Sequence, residues 1–303
     1  MKVYYSDTFE LPLPESHHFP MEKYRRVRER LETCAFASQL KFSLPSAATD
    51  QQLLLVHTPE YLRNVKEGNL TRIEQRRIGF PWSAEMVERH RRSTGATIAA
   101  AKAALSDDHG VHLAGGTHHA FADRGEGFCV LNDVAVAIRV LQAEGAIQRA
   151  VIIDLDVHQG NGTAAIFADD STVFTFSMHG ERNFPQSKNG SDSDIQLSDG
   201  TSDDEYLPLL NDVLTTKLPL EQSDIVFYVA GADCYQHDRY GRLALTKSGL
   251  ASRDRLVFQA CNEHSCPVVV VMGGGYAQDI DDIVDINVGT IEELLNVFAP
   301  IPR

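Results

Sequence analysis

The chain has 303 residues, 43% of them hydrophobic and 23% charged, with a formal net charge of −14. That length and balance suit one large globular α/β domain. They exclude the cationic face that nucleic-acid binding requires, and no apolar run approaches the roughly 18–20 residues of a membrane span. Met1 to Asp7 holds no apolar signal-peptide core, and the five cysteines (34, 129, 234, 261 and 266) include no close pair. A reducing, cytoplasmic setting with free thiols is therefore expected. The acidic balance suits cationic partners such as lysine-rich peptides or polyamines.

In chain order, Val3-Tyr4-Tyr5 reads as a short strand and residues 21–34 as a helix with a strongly charged face. Ser83 reads as the N-cap of a long helix to about Leu105, and residues 131–144 as another helix. Strands follow at Ala150–Asp156, Val173–Ser177, Asp224–Ala230 and Val268–Met272. Between and after them, helices are predicted at Gly162–Phe167, Glu205–Leu214, Lys247–Cys261 and Thr290–Asn296. Near-continuous apolar strands alternating with helices predict a mostly parallel twisted sheet covered on both faces. No repeat or low-complexity linker breaks the chain, so one domain over residues 1–303 is expected.

Three of these strands end in chemistry: Asp154/Asp156/His158, then Gly231-Ala232-Asp233, then Gly273-Gly274-Gly275-Tyr276. Ligands of open parallel sheets bind beyond the carboxyl ends of the strands, so the three clusters should meet there. Asp154, Asp156 and His158 share one face for as long as strand geometry lasts. Two carboxylates and an imidazole make a cation site or a charged catalytic cluster; the competing reading is a helix N-cap with a solvated loop. With Asp233 added, Asp156 and His158 give an O, N, O set with an open fourth position, the pattern of a catalytic zinc site. His118 and His119, after a Gly-Gly turn, suit acid–base work, with Asp154 and Asn161 as candidate tautomer-fixing acceptors. Tyr276 is placed to hydrogen-bond an oxyanion, and Phe128 and Phe184 wall an apolar slot or plug the core.

The motifs GGTHHA, RGEGFCVLND, DLDVHQGNG, GAD and GGGY, in this order, resemble the histone deacetylase superfamily. The likeness runs from about Tyr4 to the C-terminus and is nearest to class IV and its bacterial relatives. It rests there on Asn161 in HQGNG, on residues 177–185, on Leu197–Thr201 and on Gly241-Arg242-Leu243. The resemblance implies the arginase–deacetylase fold, with a sheet of about eight strands and the active site at their C-terminal ends. It implies one catalytic zinc on Asp156, His158 and Asp233, and acyl-lysine or a small acylated amine as substrate. His119 would be the general base, oriented by Asn161, and His118 the electrostatic or acid partner held by Asp154. Tyr276 would stabilise the tetrahedral intermediate, and Phe128 and Phe184 would line the tunnel, with Gly127 and Gly274 nearby. A structural potassium would sit on Asp154, Ser177 and Met178, with backbone carbonyls of Asp156 and His158.

Acetyl and longer fatty-acyl groups both stay open. Asn161, where class I carries Asp, supplies no negative charge, so a less basic His119 is expected. A two-manganese ureohydrolase would need further carboxylates, but Gly160 and Tyr235 stand at those places. A non-catalytic relative would have lost a ligand or Tyr276. Polyamine deacetylases place an acidic gatekeeper past the third ligand; here Tyr240 takes that place, with Asp238 close by.

Overall fold

The fold comes from a computed structural model, which describes residues 1–14 and 17–298. The remaining ends of the 1–303 domain expectation lie outside the described residues. Eight strands form one sheet: β1 (Lys2–Tyr4), β2 (Lys41–Ser43), β3 (His109–His112), β4 (Ala150–Asp154), β5 (Val173–Gly180), β6 (Ser193–Leu197), β7 (Ile225–Val229) and β8 (Val268–Val271). Their order is β2-β1-β3-β8-β7-β4-β5-β6. Every pairing is parallel, so the expected mostly parallel sheet is wholly so among the described residues.

The two sheet faces carry separate cores because strand side chains alternate. Val151, Ile153, Val226, Tyr228, Val268 and Val270 face one core, with Val27, Leu210, Val257 and Ile283 from helices. Ile152, Phe227, Val269 and Val271 face the other, with Leu62, Met86, Ile98 and Val134 from helices. Buried on both sides, β4, β7 and β8 read as unbroken apolar runs, which is why they are legible. The long helix is Ala84–Asp107, and Ser83 caps it by accepting from the Met86 amide as predicted.

Among the differences from the sequence reading, three bear on the site. β4 stops at Asp154 instead of Asp156, so Asp156 and His158 sit on the loop after the strand. Their shared direction therefore comes from that loop and its hydrogen bonds rather than from strand alternation. The C-terminal helix runs Ile280–Phe298, well before the expected start at Thr290, and buries Ile283, Val284 and Ile286. β3 was absent from the predicted elements, yet it delivers the Gly115–His119 turn to the sheet end.

One buried cation ties this end together. Arg253, on the Lys247–Glu263 helix, is fully buried and paired with Asp254 at 2.8 Å. Its Nη1 donates to Gly231 O at 2.7 Å and Leu155 O at 3.3 Å, the loops that carry Asp233 and Asp156. Asp254 also accepts from Tyr228 Oη and from Thr290 Oγ1. Removing one partner of such a pair strands the other charge. Arg253→Met is expected to destabilise the fold by about 3–5 kcal/mol, checked by urea unfolding.

Candidate active site

The ends of β3, β8, β7 and β4 are consecutive in the sheet, and each contributes side chains to one site. After β3 the chain turns through Gly115 and Gly116, at φ of 79° and 73°. Only glycine adopts such angles without strain. Asp133, at the start of the next helix, clamps the turn. It accepts from the Gly116 amide at 3.1 Å, the Thr117 amide at 2.8 Å and Thr117 Oγ1 at 2.6 Å. This presents His118 and His119 side by side, their ring centroids 4.1 Å apart.

The two imidazoles have different partners. His118 Nδ1 lies 2.7 Å from Asp154 Oδ2, and His119 Nδ1 lies 2.7 Å from Asn161 Oδ1. Asn161 Nδ2 in turn donates to Glu126 Oε2 at 3.4 Å, which fixes the amide so that its oxygen faces His119. An amide oxygen only accepts, so His119 carries its proton on Nδ1 and leaves Nε2 as the lone pair. Burial lowers the His118 pKa, but the charges of Asp154 and Asp156 outweigh it and hold the group at about 9. Burial takes His119 well below its ordinary value, and the positive charges of His118 and His158 push the same way. The lowering comes from burial and the neighbouring imidazoles, whereas the hydrogen bond to Asn161 acts in the opposite direction.

Asp156, His158 and Asp233 offer ligand atoms all within 4.8 Å of one another. Asp156 Oδ2 accepts from the Gly274 amide at 2.6 Å, and Asp233 Oδ1 from the Val157 amide at 2.9 Å. His158 Nδ1 points at Asp156 Oδ1 (3.0 Å) and Asp233 Oδ2 (3.1 Å). Burial first, and the Asp156 charge second, push Asp233 up to about 7. Two buried carboxylates with an imidazole are a donor set that a divalent cation satisfies. Glycines leave the room: a Cβ on Gly274 would stand 1.9 Å from Asp233 Oδ2 and 2.8 Å from Asp156 Oδ2. The residues present therefore fit a single divalent ion.

Above this floor lies a cavity of about 420 Å³, walled by Phe128, Phe184, Tyr240 and Tyr276. Phe184 stands edge-on to His119 at 4.8 Å between centroids. Phe128 is held at φ 65°, a conformation rare outside glycine, beside Gly127, where a Cβ would meet His119 Cδ2 at 2.7 Å. Gly127, Gly274, Phe128 and Phe184 thus all border the site, as the sequence predicts. A smaller space of about 50 Å³ continues past the histidines, bordered by Phe19, Tyr24, Thr117 and Gly273. Asp154 and Ser177 are register partners across β4 and β5, with Met178 next along β5.

Sequence reasoning missed Lys23 and Glu126 here, and named Asp238 only as an acid near the gatekeeper place. Lys23 is buried, donates to Gly275 O at 3.2 Å and stands 5.2 Å from the Tyr276 ring centroid. Asp238 accepts from the Tyr240, Gly241 and Tyr276 amides at 2.8, 2.9 and 2.6 Å. Glu126 orients Asn161 from within a motif whose glycines and phenylalanine drew the attention. None of the three carries a spacing signal.

A histone deacetylase domain model matches residues 17–287. The chain belongs to the histone deacetylase family. An uncharacterised protein of Picosynechococcus sp. is 47% identical over 282 residues, 93% of this chain and 94% of the relative. Histone deacetylase 2 of Arabidopsis thaliana is 30% identical over 296 residues, 91% of this chain and 74% of the relative. Among solved structures, the HD domain of HDA15 superposes with a TM-score of 0.78 at 22% identity, covering 98% of this chain and 95% of that one. This likeness supports the fold.

The glycine cradle is directly testable. Gly274→Ala is expected to displace Asp233 or Asp156 and to weaken divalent-ion binding by about tenfold or more, measured by equilibrium dialysis.

Proposed function

We propose that this protein is a zinc-dependent hydrolase that removes a short acyl group, acetyl above all, from the side-chain amide of lysine. The observation that carries the reading is the floor of the cavity. There an O, N, O triad faces two histidines with unlike partners, beneath an aromatic tube. Asp156, His158 and Asp233 would hold the zinc, which would supply Lewis acidity toward the amide carbonyl and the attacking water. Family membership and the donor set support that metal.

The chain's own groups do the rest. Phe128 and Phe184 hold the aliphatic stem of acyl-lysine, whose charge acylation has removed. His119 Nε2 takes a proton from the attacking water. His118, charged against Asp154, favours developing negative charge, and a protonated histidine of the pair returns a proton to the leaving amine. The Tyr276 hydroxyl, which burial holds well above its ordinary pKa and so keeps protonated, donates to the oxyanion. Asp154 and Ser177 with Met178, and the backbone of Asp156 and His158, would hold the structural potassium. Five free cysteines support a cytoplasmic setting. No described helix is long and apolar enough to cross a membrane.

Two observations narrow the substrate. The space past the histidines, about 50 Å³, supports a short acyl group over a fatty chain. Asp238, the acid nearest the polyamine gatekeeper place, accepts from three backbone amides, which supports a loop-positioning role for it over that of a gatekeeper.

With zinc-loaded protein and one lysine peptide, kcat/KM for acetyl is expected to exceed that for octanoyl or myristoyl by more than about tenfold. A myristoyl preference would overturn the short-acyl assignment, and faster turnover of acetylspermidine the lysine assignment. His119→Ala and Tyr276→Phe are each expected to retain zinc and lose about 10²–10⁴ in kcat. Asp233→Ala is expected to lose zinc, read by metal analysis of the purified protein; full zinc there would mean a wrong third ligand.

A further inference from the structure

The mouth of the cavity has a charge that the rest of the chain does not foreshadow. The sequence holds 28 Lys and Arg against 42 Asp and Glu, yet no aspartate or glutamate lines the outer cavity among the described residues. Its charged lining is instead Arg182 and Arg242. They arrive from different parts of the fold, Arg182 just after β5 and Arg242 on the loop after β7. Both turn toward one carboxylate: Asp199 Oδ2 lies 3.7 Å from Arg182 Nη1 and 3.2 Å from Arg242 Nη1. One carboxylate shared by two guanidinium groups leaves an unmatched positive charge. Both arginines stay open to solvent beyond that shared contact, with side chains 73% and 55% exposed. Asp238, on the same loop as Arg242, is engaged by three backbone amides and does not line the cavity. Exposed Glu181, beside Arg182 in the chain, is not part of the cavity wall.

We propose that Arg182 and Arg242 select acyl-lysines that have an acidic residue next to them in a peptide chain. This rests on the acyl-lysine reading above. A lysine stem in the aromatic tube brings its neighbouring residues to the mouth. A guanidinium fork there matches a carboxylate and repels an ammonium. The cationic mouth on an acidic protein also steers anionic segments toward the opening. A net acidic surface suggests cationic substrates; the mouth itself reverses that expectation.

The test compares capped acetyl-lysine peptides whose flanking residues are Asp, isosteric Asn or Lys, with a free-terminus acetyl-lysine as a fourth substrate. The readout is the ratio of kcat/KM values within each protein, so any general loss of activity cancels. Wild type is expected to prefer Asp over Asn flanks by about fivefold, mostly through KM, and to disfavour Lys. In Arg182→Gln/Arg242→Gln, and at about 0.5 M salt, the ratio is expected to fall below about twofold. Equal rates on Asp and Asn peptides, or a preference that survives the double substitution, would overturn the assignment. Preference for the free terminal carboxylate alone would also overturn it, pointing to a small acylated amino acid. Turnover of no peptide, neutral ones included, would instead defeat the acyl-lysine reading itself.

Discussion

Everything at this sheet end depends on keeping two carboxylates, Asp156 and Asp233, buried close together. Like charges in a low-dielectric interior repel, and each loses its hydration. The fold answers from two sides. From the site side, backbone amides of Gly274, Val157 and His158 donate to the carboxylates, and the His158 ring faces both. From the core side, Arg253 holds the carbonyls of Leu155 and Gly231, which pins the two loops without competing for the carboxylates. The remaining imbalance is what a divalent cation resolves. The same constraint explains the glycines, because residues 231, 273 and 274 pass so close to the carboxylates that a Cβ would meet their oxygens within 3.0 Å.

The histidine pair follows from this charge distribution. His118 lies over the carboxylate side, with Asp154 at 2.7 Å and Asp156 at 3.9 Å, and is stabilised as a cation. A second charged imidazole 4.1 Å away would be opposed by the first, so His119 is held neutral. A neutral amide partner then serves better than a carboxylate would. Asn161 fixes the tautomer without drawing a proton onto the ring, and Glu126 keeps the amide from flipping. The pair is therefore split into one charged and one neutral member, the division that acid–base chemistry near neutral pH requires.

Much of this was legible because strands buried on both faces leave unbroken aliphatic runs, and their polar ends stand out against them. Val268–Val271 followed by three glycines and Tyr276 could be placed at a sheet end on that contrast alone. β3 was illegible because His109-Gly110-Val111-His112 holds a single aliphatic residue, and β2 and β6 are edge strands with mixed faces. The direction shared by Asp156 and His158 was right, but the reason was not. The strand ends at Asp154, and the loop is held by the Gly274 amide donating to Asp156 and by its own Val157 amide donating to Asp233, partners 118 and 76 residues apart. Glu126, Lys23 and Arg253 act through contacts of that kind, made by single residues with no periodicity.

The site divides along the same line as the fold. Its floor is built on the ends of β3, β8, β7 and β4, braced by Asp133 and Arg253, where a small displacement would break several hydrogen bonds at once. Its walls and mouth come from loops: residues 125–129, the stretch after β5 and the stretch after β7. Those loops contribute aromatic surface and exposed arginines. Asn183 donating to Tyr240 O ties two of them to each other, its own backbone amide donates to Gly180 O at the end of β5, and Glu126 reaches the floor at Asn161. Substitutions of the exposed arginines at the mouth leave the hydrogen bonds of the carboxylate pair in place, whereas changes at the floor act on the donor set, the histidine pair and the fold together. A chemistry fixed by the sheet and a selectivity set by loops is the arrangement that lets one family keep a reaction while its members part over substrates.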